Sequence, residues 1–535
     1  MITRFLIPLV LCLLASAVEA EIVSTGDSEL DSIFEALIEK GFAKKEQALA
    51  KLAASAHPRR FELIEGILSG KLRLLKSRKR LVWVENKGRS FVTTDAINGE
   101  MLGEFKKRKL KKFTINNQLR RVIKGILATR DLDSDDPDIR LKAVEAMLAN
   151  PSPVQSLLIE SRLKSEENPS VRAAMELILA LNRMGSGDKL DRLKAIESVS
   201  QSLQPSVREA LVRLSENDAD PSVRKAADSA LQRIDERIKQ FGRVETFFFG
   251  LSLGSVLVLA AIGLAITFGV MGVINMAHGE LIMLGAYTTY LIQQVLPDAT
   301  ISLLLSIPAA FMVSGFVGIA IERGVIRHLY GRPLETLLAT FGISLILQQM
   351  VRTLISPQNV PVSNPGFMSG SWQINSVLSL TYNRMYIILF CLIVFAGLFL
   401  VLKKTRLGLQ VRAVSQNRQM ARAMGVHSAR VDALTFGLGS GIAGIAGVAL
   451  SQLTNVGPNL GQQYIVDSFM VVVFGGVGNL WGTLIGGLGL GVANKFLEPW
   501  AGAVMAKILI LVFVILFIQK RPKGLFPQKG RAAEA

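Results

Sequence analysis

GVMGVINMAHGE, residues 269–280, interrupts an apolar run that otherwise extends from 246 to 296, placing three glycines, Asn275, His278 and Glu280 where hydrocarbon is expected. A bilayer core offers irregular backbone no hydrogen-bond partner, so such a stretch must lie inside protein or line a watery cavity. A second interruption, FGGVGNLWG at 474–482, repeats the pattern late in the chain. Two interruptions read as a solute path built from broken helices, with Asn275, His278, Glu280, Gly475, Gly476 and Asn479 along it. The competing reading makes both of them tight turns with glycine for close helix packing, and His278 and Glu280 interfacial caps.

Outward from these breaks, apolar segments lie near 246–270, 281–296, 301–321, 336–355, 385–402, 433–453, 465–477, 481–492 and 504–518. With 535 residues, 50% hydrophobic and 19% charged, and a mean hydropathy of +0.37, the chain is too apolar for an ordinary soluble protein. The linker 403–430 carries seven Lys or Arg and no acid, and the tail 521–535 is basic, so both belong on the cytoplasmic side. The stretch 356–383 has neither Lys nor Arg and belongs outside. With the N-terminal half outside as well, the crossing number is odd, and nine spans over 246–520 are expected.

The N-terminal half reads differently. Residues 1–20 have a signal-peptide outline, with one early Arg, an apolar run and small residues before Glu21. The phrases DPDIR (136–140), NPSVR (168–172), QPSVR (204–208) and DPSVR (220–224) each precede an apolar helical pattern, and proline at a first helical position gives up no intrahelical bond. The region 133–240 therefore reads as HEAT-like helical repeats, with an irregular helical bundle as the alternative. Before it, 21–132 reads as short helices over 29–68 and a small β-hairpin over 81–94. The fold class is all-α: a polytopic membrane helical bundle of about nine spans with two interrupted helices, preceded by this exported domain.

The stretch 71–112 holds 14 Lys or Arg against 4 acids, which suggests nucleic acid, but export favours a solvated or lipid-facing basic surface instead. GILSGKL at 66–72 is one residue short of a phosphate loop and lacks its Ser or Thr, so ATP hydrolysis by that route is excluded. Two cysteines, Cys12 and Cys391, both in apolar segments, give neither a disulfide framework nor a Cys-based metal site.

GVINMAHGELIMLGAY (272–287), TRLGLQVRAVSQNRQMARAMGV (405–426) and VVVFGGVGNLWGTLIGG (471–487) resemble signature stretches of the permease subunits of branched-chain amino acid ABC importers, over about 248–527. The long exported part is similar to the extension of the urea-importing branch, so the resemblance implies an inner-membrane permease for urea or short amides, with a branched-chain amino acid permease or a passive urea channel as alternatives. It further implies two ATPase subunits, a second homologous permease subunit, a periplasmic solute-binding protein and membrane lipid as partners. No nucleic acid, cofactor, metal or catalytic residue is implied.

The resemblance also implies that the loop 405–426 is the coupling element. Leu409, Val411, Ala413, Val414, Met420, Ala421 and Met424 form an apolar stripe beside Arg412, Arg418 and Arg422, a pattern suited to a helix docking in a partner's groove. Gln416, Asn417 and Gly425 complete the expected contact set; the first two stand where the family usually has acidic residues. A basic helix on lipid headgroups is the alternative. Asn275-Met276-Ala277 is similar to the Asn-Pro-Ala turn of aquaporins, which keeps a passive channel in view. LGSG around Ser440 lacks the first glycine of an intramembrane serine protease motif, and His427 is its nearest histidine in sequence.

Overall fold

A computed structural model describes residues 28–38, 41–55, 57–77, 80–87, 90–148, 159–185 and 187–526. The signal-like segment and the end of the tail lie outside these residues. The chain divides into two compact units, 1–235 and 236–535.

In the first unit, helices α1 (Ser28–Ile38), α2 (Phe42–Ala54) and α3 (Arg60–Ser69) stand where short helices are expected. Their apolar faces bury Phe34, Leu49, Leu63 and Ile64 in one core with Leu72, Leu81 and Ile123. The expected hairpin is present as β2 (Arg80–Lys87) paired with β3 (Ser90–Asp95). It belongs, however, to a larger antiparallel sheet, which adds β1 (Leu72–Leu75), β4 (Met101–Lys106) and β5 (Leu110–Lys112) in the order β4-β3-β2-β1-β5. The added strands are short, the partner of β4 bulges at Thr93/Thr94, and β5 lies inside a run of lysines, so none shows clean alternation. The loop-like GILSGKL is no loop: Gly66 lies within α3 against Trp83, and Gly70 is its left-handed C-cap.

After α4 (Asn117–Asp131), all four proline phrases open helices at the proline: α5 (Pro137–Leu148), α6 (Pro169–Met184), α8 (Pro205–Asn217) and α9 (Pro221–Met271), with α7 (Lys189–Val199) between. The polar residue before proline caps three of them, as where Asn168 Oδ1 accepts from the Ser170 and Val171 amides at 2.9 and 3.3 Å. In three of the four the closing arginine ties down the preceding turn, while Arg208 pairs with Asp235 instead. Arg140 donates to the carbonyls of Ser134 and Asp135, Arg172 to that of Glu166, and Arg224 to that of Asp218. The phrase is thus a helix start with its own clamp.

In the second unit every expected apolar segment is a helix: the later part of α9, then α10 (His278–Val295), α11 (Ala299–Gly324), α12 (Pro333–Leu354) and α13 (Tyr382–Lys404). Two short helices, α14 (Arg406–Gln416) and α15 (Arg418–Ala423), lead into α16 (Ser428–Ser451), α17 (Leu460–Gly475), α18 (Leu480–Ala501) and α19 (Ala503–Lys520). Six of these (α9, α11, α12, α13, α16 and α19) are long and apolar enough to cross a membrane. This differs from the expected nine because α17, at 16 residues, rises only about 24 Å, and α10 and α18 are diluted by Gly and polar residues. Helices α10, α11 and α16 form the centre. A Cβ on Gly285 would strike the backbone of Gly444, and one on Gly444 the carbonyl of Ala310, so the three approach at backbone distance.

Candidate functional site

At the first break α9 ends at Met271 and Gly272 turns the chain with φ +68°. The chain then runs back alongside α9, because His278 Nε2 donates to the carbonyl of Ala260 at 2.9 Å, eleven residues or about 16 Å before that helix ends. Helix α10 therefore starts inside the bundle. The amides just before it are answered there: Asn275 Oδ1 accepts from Ala277 at 3.0 Å, and Thr340 Oγ1 of α12 accepts from Met276 at 3.1 Å. Glu280 Oε1 accepts from Ser344 Oγ at 3.1 Å and from Gln348 Nε2 at 2.6 Å.

Asn275, His278 and Glu280 are each 1% exposed or less. Yet Asn275 Nδ2, His278 Nδ1 and Glu280 Oε2 have no protein partner. A buried polar group left unmet costs about 1–3 kcal/mol, and folded proteins keep few of them, so three within six residues mark a place built for polar contact. The groups on α12 that complete it, Thr340, Ser344 and Gln348, are all buried and were not singled out from sequence. Their signal is a polar residue at every fourth position from Thr336 to Arg352, a stretch whose other side chains, Gln349 apart, are apolar.

The second break has another character. Gly475 packs on the carbonyl of Gly482, closing α17 and α18 into a hairpin, and Asn479 caps α18 by accepting from the Gly482 amide at 3.2 Å. Gly476, at φ +106°, lies under the C-terminal segment: Leu525 donates to the Phe474 carbonyl and Phe526 to that of Gly475. Asn479 Nδ2 donates to the Phe526 carbonyl at 3.2 Å. These contacts make the second break a close-packed turn. Gly478 and Asn479 also border an open cavity of about 880 Å³ between the ends of α9 and α13, α14 and the C-terminal segment, which brings them together with Arg412 and Gln416 of the expected coupling loop.

That loop divides its apolar stripe. Val411, Val414 and Ala421 are buried with Val431, whereas Leu409, Met420 and Met424 are more than 60% exposed. Asn417 breaks the helix and caps α15, accepting from the Met420 amide at 2.9 Å. All three arginines beside the stripe are engaged within the chain, Arg412 through the Leu402 carbonyl at 2.8 Å. Arg418 clasps Asp432 through both terminal nitrogens at 2.6 and 2.9 Å and stacks on Tyr330, and Arg422 Nε donates to Ser428. Gly425, at φ +86°, turns the chain into α16. The outward face that remains is formed by Gln416, Asn417, Met420, Met424 and Leu409.

Ser440 is fully buried against Gly318, while His427 precedes the same helix thirteen residues earlier, about 20 Å away, so the two form no catalytic pair. Among the described residues no group of three His, Cys, Asp or Glu is placed to hold a metal ion.

The chain is 32% identical to the high-affinity branched-chain amino acid transport system permease protein BraD of Pseudomonas aeruginosa, over 52% of this chain and 93% of that protein. It is 30% identical to the corresponding permease LivH of Escherichia coli K12, over 53% and 94%, and 24% identical to the ribose import permease RbsC of that organism, over 52% and 85%. No solved structure gives a significant match. The urea expectation finds no support among these relatives, which fit the amino acid alternative better. The family described as branched-chain amino acid transport system, permease component, matches residues 246–518, and the chain belongs to it.

Proposed function

We propose that this chain is a translocating subunit of an ABC importer for a branched-chain amino acid or a similar small zwitterion, and that the solute passes the first break. The observation that carries this reading is the start of α10 inside the bundle with an amide donor and a carboxylate oxygen unfilled within one and a half turns. Asn275 Nδ2 suits a carboxylate at the positive end of a helix, and Glu280 Oε2 suits an ammonium group. Urea could also donate an N–H to Glu280 Oε2, but without the charge assistance that an ammonium group brings.

Energy comes, in this reading, from separate ATPase subunits docked on the exposed face of α14 and α15, with a second permease subunit and an extracytoplasmic solute-binding protein completing the importer. The basic linker 403–430 supports a cytoplasmic position for that face. With α10 crossing as well, five helices precede the linker, and this odd number places the N-terminal half, whose helices we read as HEAT-like repeats, on the opposite side. Uptake of labelled leucine against labelled urea, in inner-membrane vesicles containing the chain and its partners, tests the assignment. ATP-dependent leucine uptake that unlabelled urea does not compete is expected; urea uptake without leucine uptake would refute it.

A further inference from the structure

The open cavity beside the second break has a chemistry that solute transfer does not use. Lys403 and Arg412 supply positive charge, and Phe399, Trp481, Val270 and Phe526 supply apolar and aromatic wall; no acid lines it. Arg412 donates one terminal nitrogen to the Leu402 carbonyl at 2.8 Å, and both residues line the opening. Lys403 Nζ lies 5.3 Å from the centre of the Phe399 ring, and Trp481 meets Phe395 and Phe399 edge-on at 5.3 and 5.9 Å. Helix α13 is apolar up to Leu402 and ends with Lys403 and Lys404, so the two cations sit where hydrocarbon gives way to headgroups.

From this arrangement we infer that the cavity binds an anionic phospholipid of the leaflet at this end of the bundle. The headgroup phosphate lies on Arg412 and Lys403, and an acyl chain runs over Phe399 and Trp481. Basic pockets between membrane helices bind acidic lipids through the same pairing of phosphate and guanidinium. A free phosphate ion would meet the charges but leave the aromatic wall without a partner, and a neutral lipid would do the reverse. Bound there, the lipid joins α13, α14 and the α17–α18 turn, and so stiffens the base of the coupling loop.

The test uses the whole chain, purified in mild detergent and reconstituted into nanodiscs of phosphatidylcholine alone or with phosphatidylglycerol. Retained phosphatidylglycerol is counted by native mass spectrometry and thermal stability is read in parallel. Wild type is expected to hold phosphatidylglycerol and to melt higher with it, and inorganic phosphate is expected to have no such effect. The double variant Lys403→Gln, Arg412→Gln is expected to bind it roughly thirtyfold more weakly, at about one charge-headgroup interaction lost per residue. Lys520→Gln, a basic residue outside the cavity, is expected to behave as wild type. Should the double variant fail to fold, Lys403→Gln alone carries the comparison. Equal retention in variant and wild type, stabilisation by inorganic phosphate, or indifference to lipid charge would each overturn the proposal.

Discussion

Gly476 shows how one residue supports different accounts of the same loss. A leucine there would put its Cβ 2.6 Å from the Phe526 carbonyl and would be held at φ +106°, so the C-terminal segment must move. Gly476→Leu is therefore expected to lower the melting temperature and expose 521–526 to protease, and unchanged stability with blocked uptake would instead return Gly476 to the solute path. In the N-terminal unit, Arg140, bonded to Glu166 through two N–H groups at 2.8 and 2.9 Å, holds that carboxyl below its ordinary value of 4.5. A carboxyl with a lowered folded value stabilises above its unfolded value and loses that contribution as pH falls toward the folded one. Hydrogen exchange in α5, corrected for intrinsic rate, should thus be better protected at pH 7 than below about pH 4.5. Glu166→Gln should weaken protection at pH 7 and flatten the difference.

At the scale of elements, the short helices α14 and α15 present a solvent face that their own chain does not cover. Met420 and Met424, 61% and 78% exposed, lie at i and i+4 around α15 and form its apolar anchor. Met420→Glu with Met424→Glu is expected to reduce co-purification of the ATPase subunits at least about tenfold, the cost of losing one strong contact, while leaving the bundle folded. Full co-purification would place the docking face elsewhere. Arg418, by contrast, is a poor probe of docking, since replacing it breaks its pairing with Asp432 inside the chain. Sequence periodicity located the helices well, because proline starts and apolar runs are local signals. It could not divide the loop's apolar stripe into buried and exposed halves, which depends on Val431 and Val270 from distant positions. Nor did it find Thr340, Ser344 and Gln348, whose meaning appears only when α12 lies beside the start of α10. The five-stranded sheet escaped for a related reason: β1 and β5 are held by pairing with each other across more than thirty residues, not by their own patterns.

For the whole molecule, the family match covers residues 246–518 and the N-terminal unit lies outside it. The proposed topology makes that unit accessible from outside: Cys substituted for the exposed Lys107 should react with an impermeant reagent in intact spheroplasts, and protection would reverse the orientation. The central claim is that solute crosses at the first break and that separate ATPases drive it. Accumulation of labelled leucine in proteoliposomes holding the complete importer, with and without ATP, tests this most directly when wild type is compared with Asn275→Leu and Glu280→Gln. Wild type is predicted to concentrate leucine only with ATP, and each variant, having lost one polar contact worth about 1–3 kcal/mol, to fall by roughly tenfold or more at matched assembly. Equal leucine entry with and without ATP, or wild-type accumulation in both variants, would contradict the account.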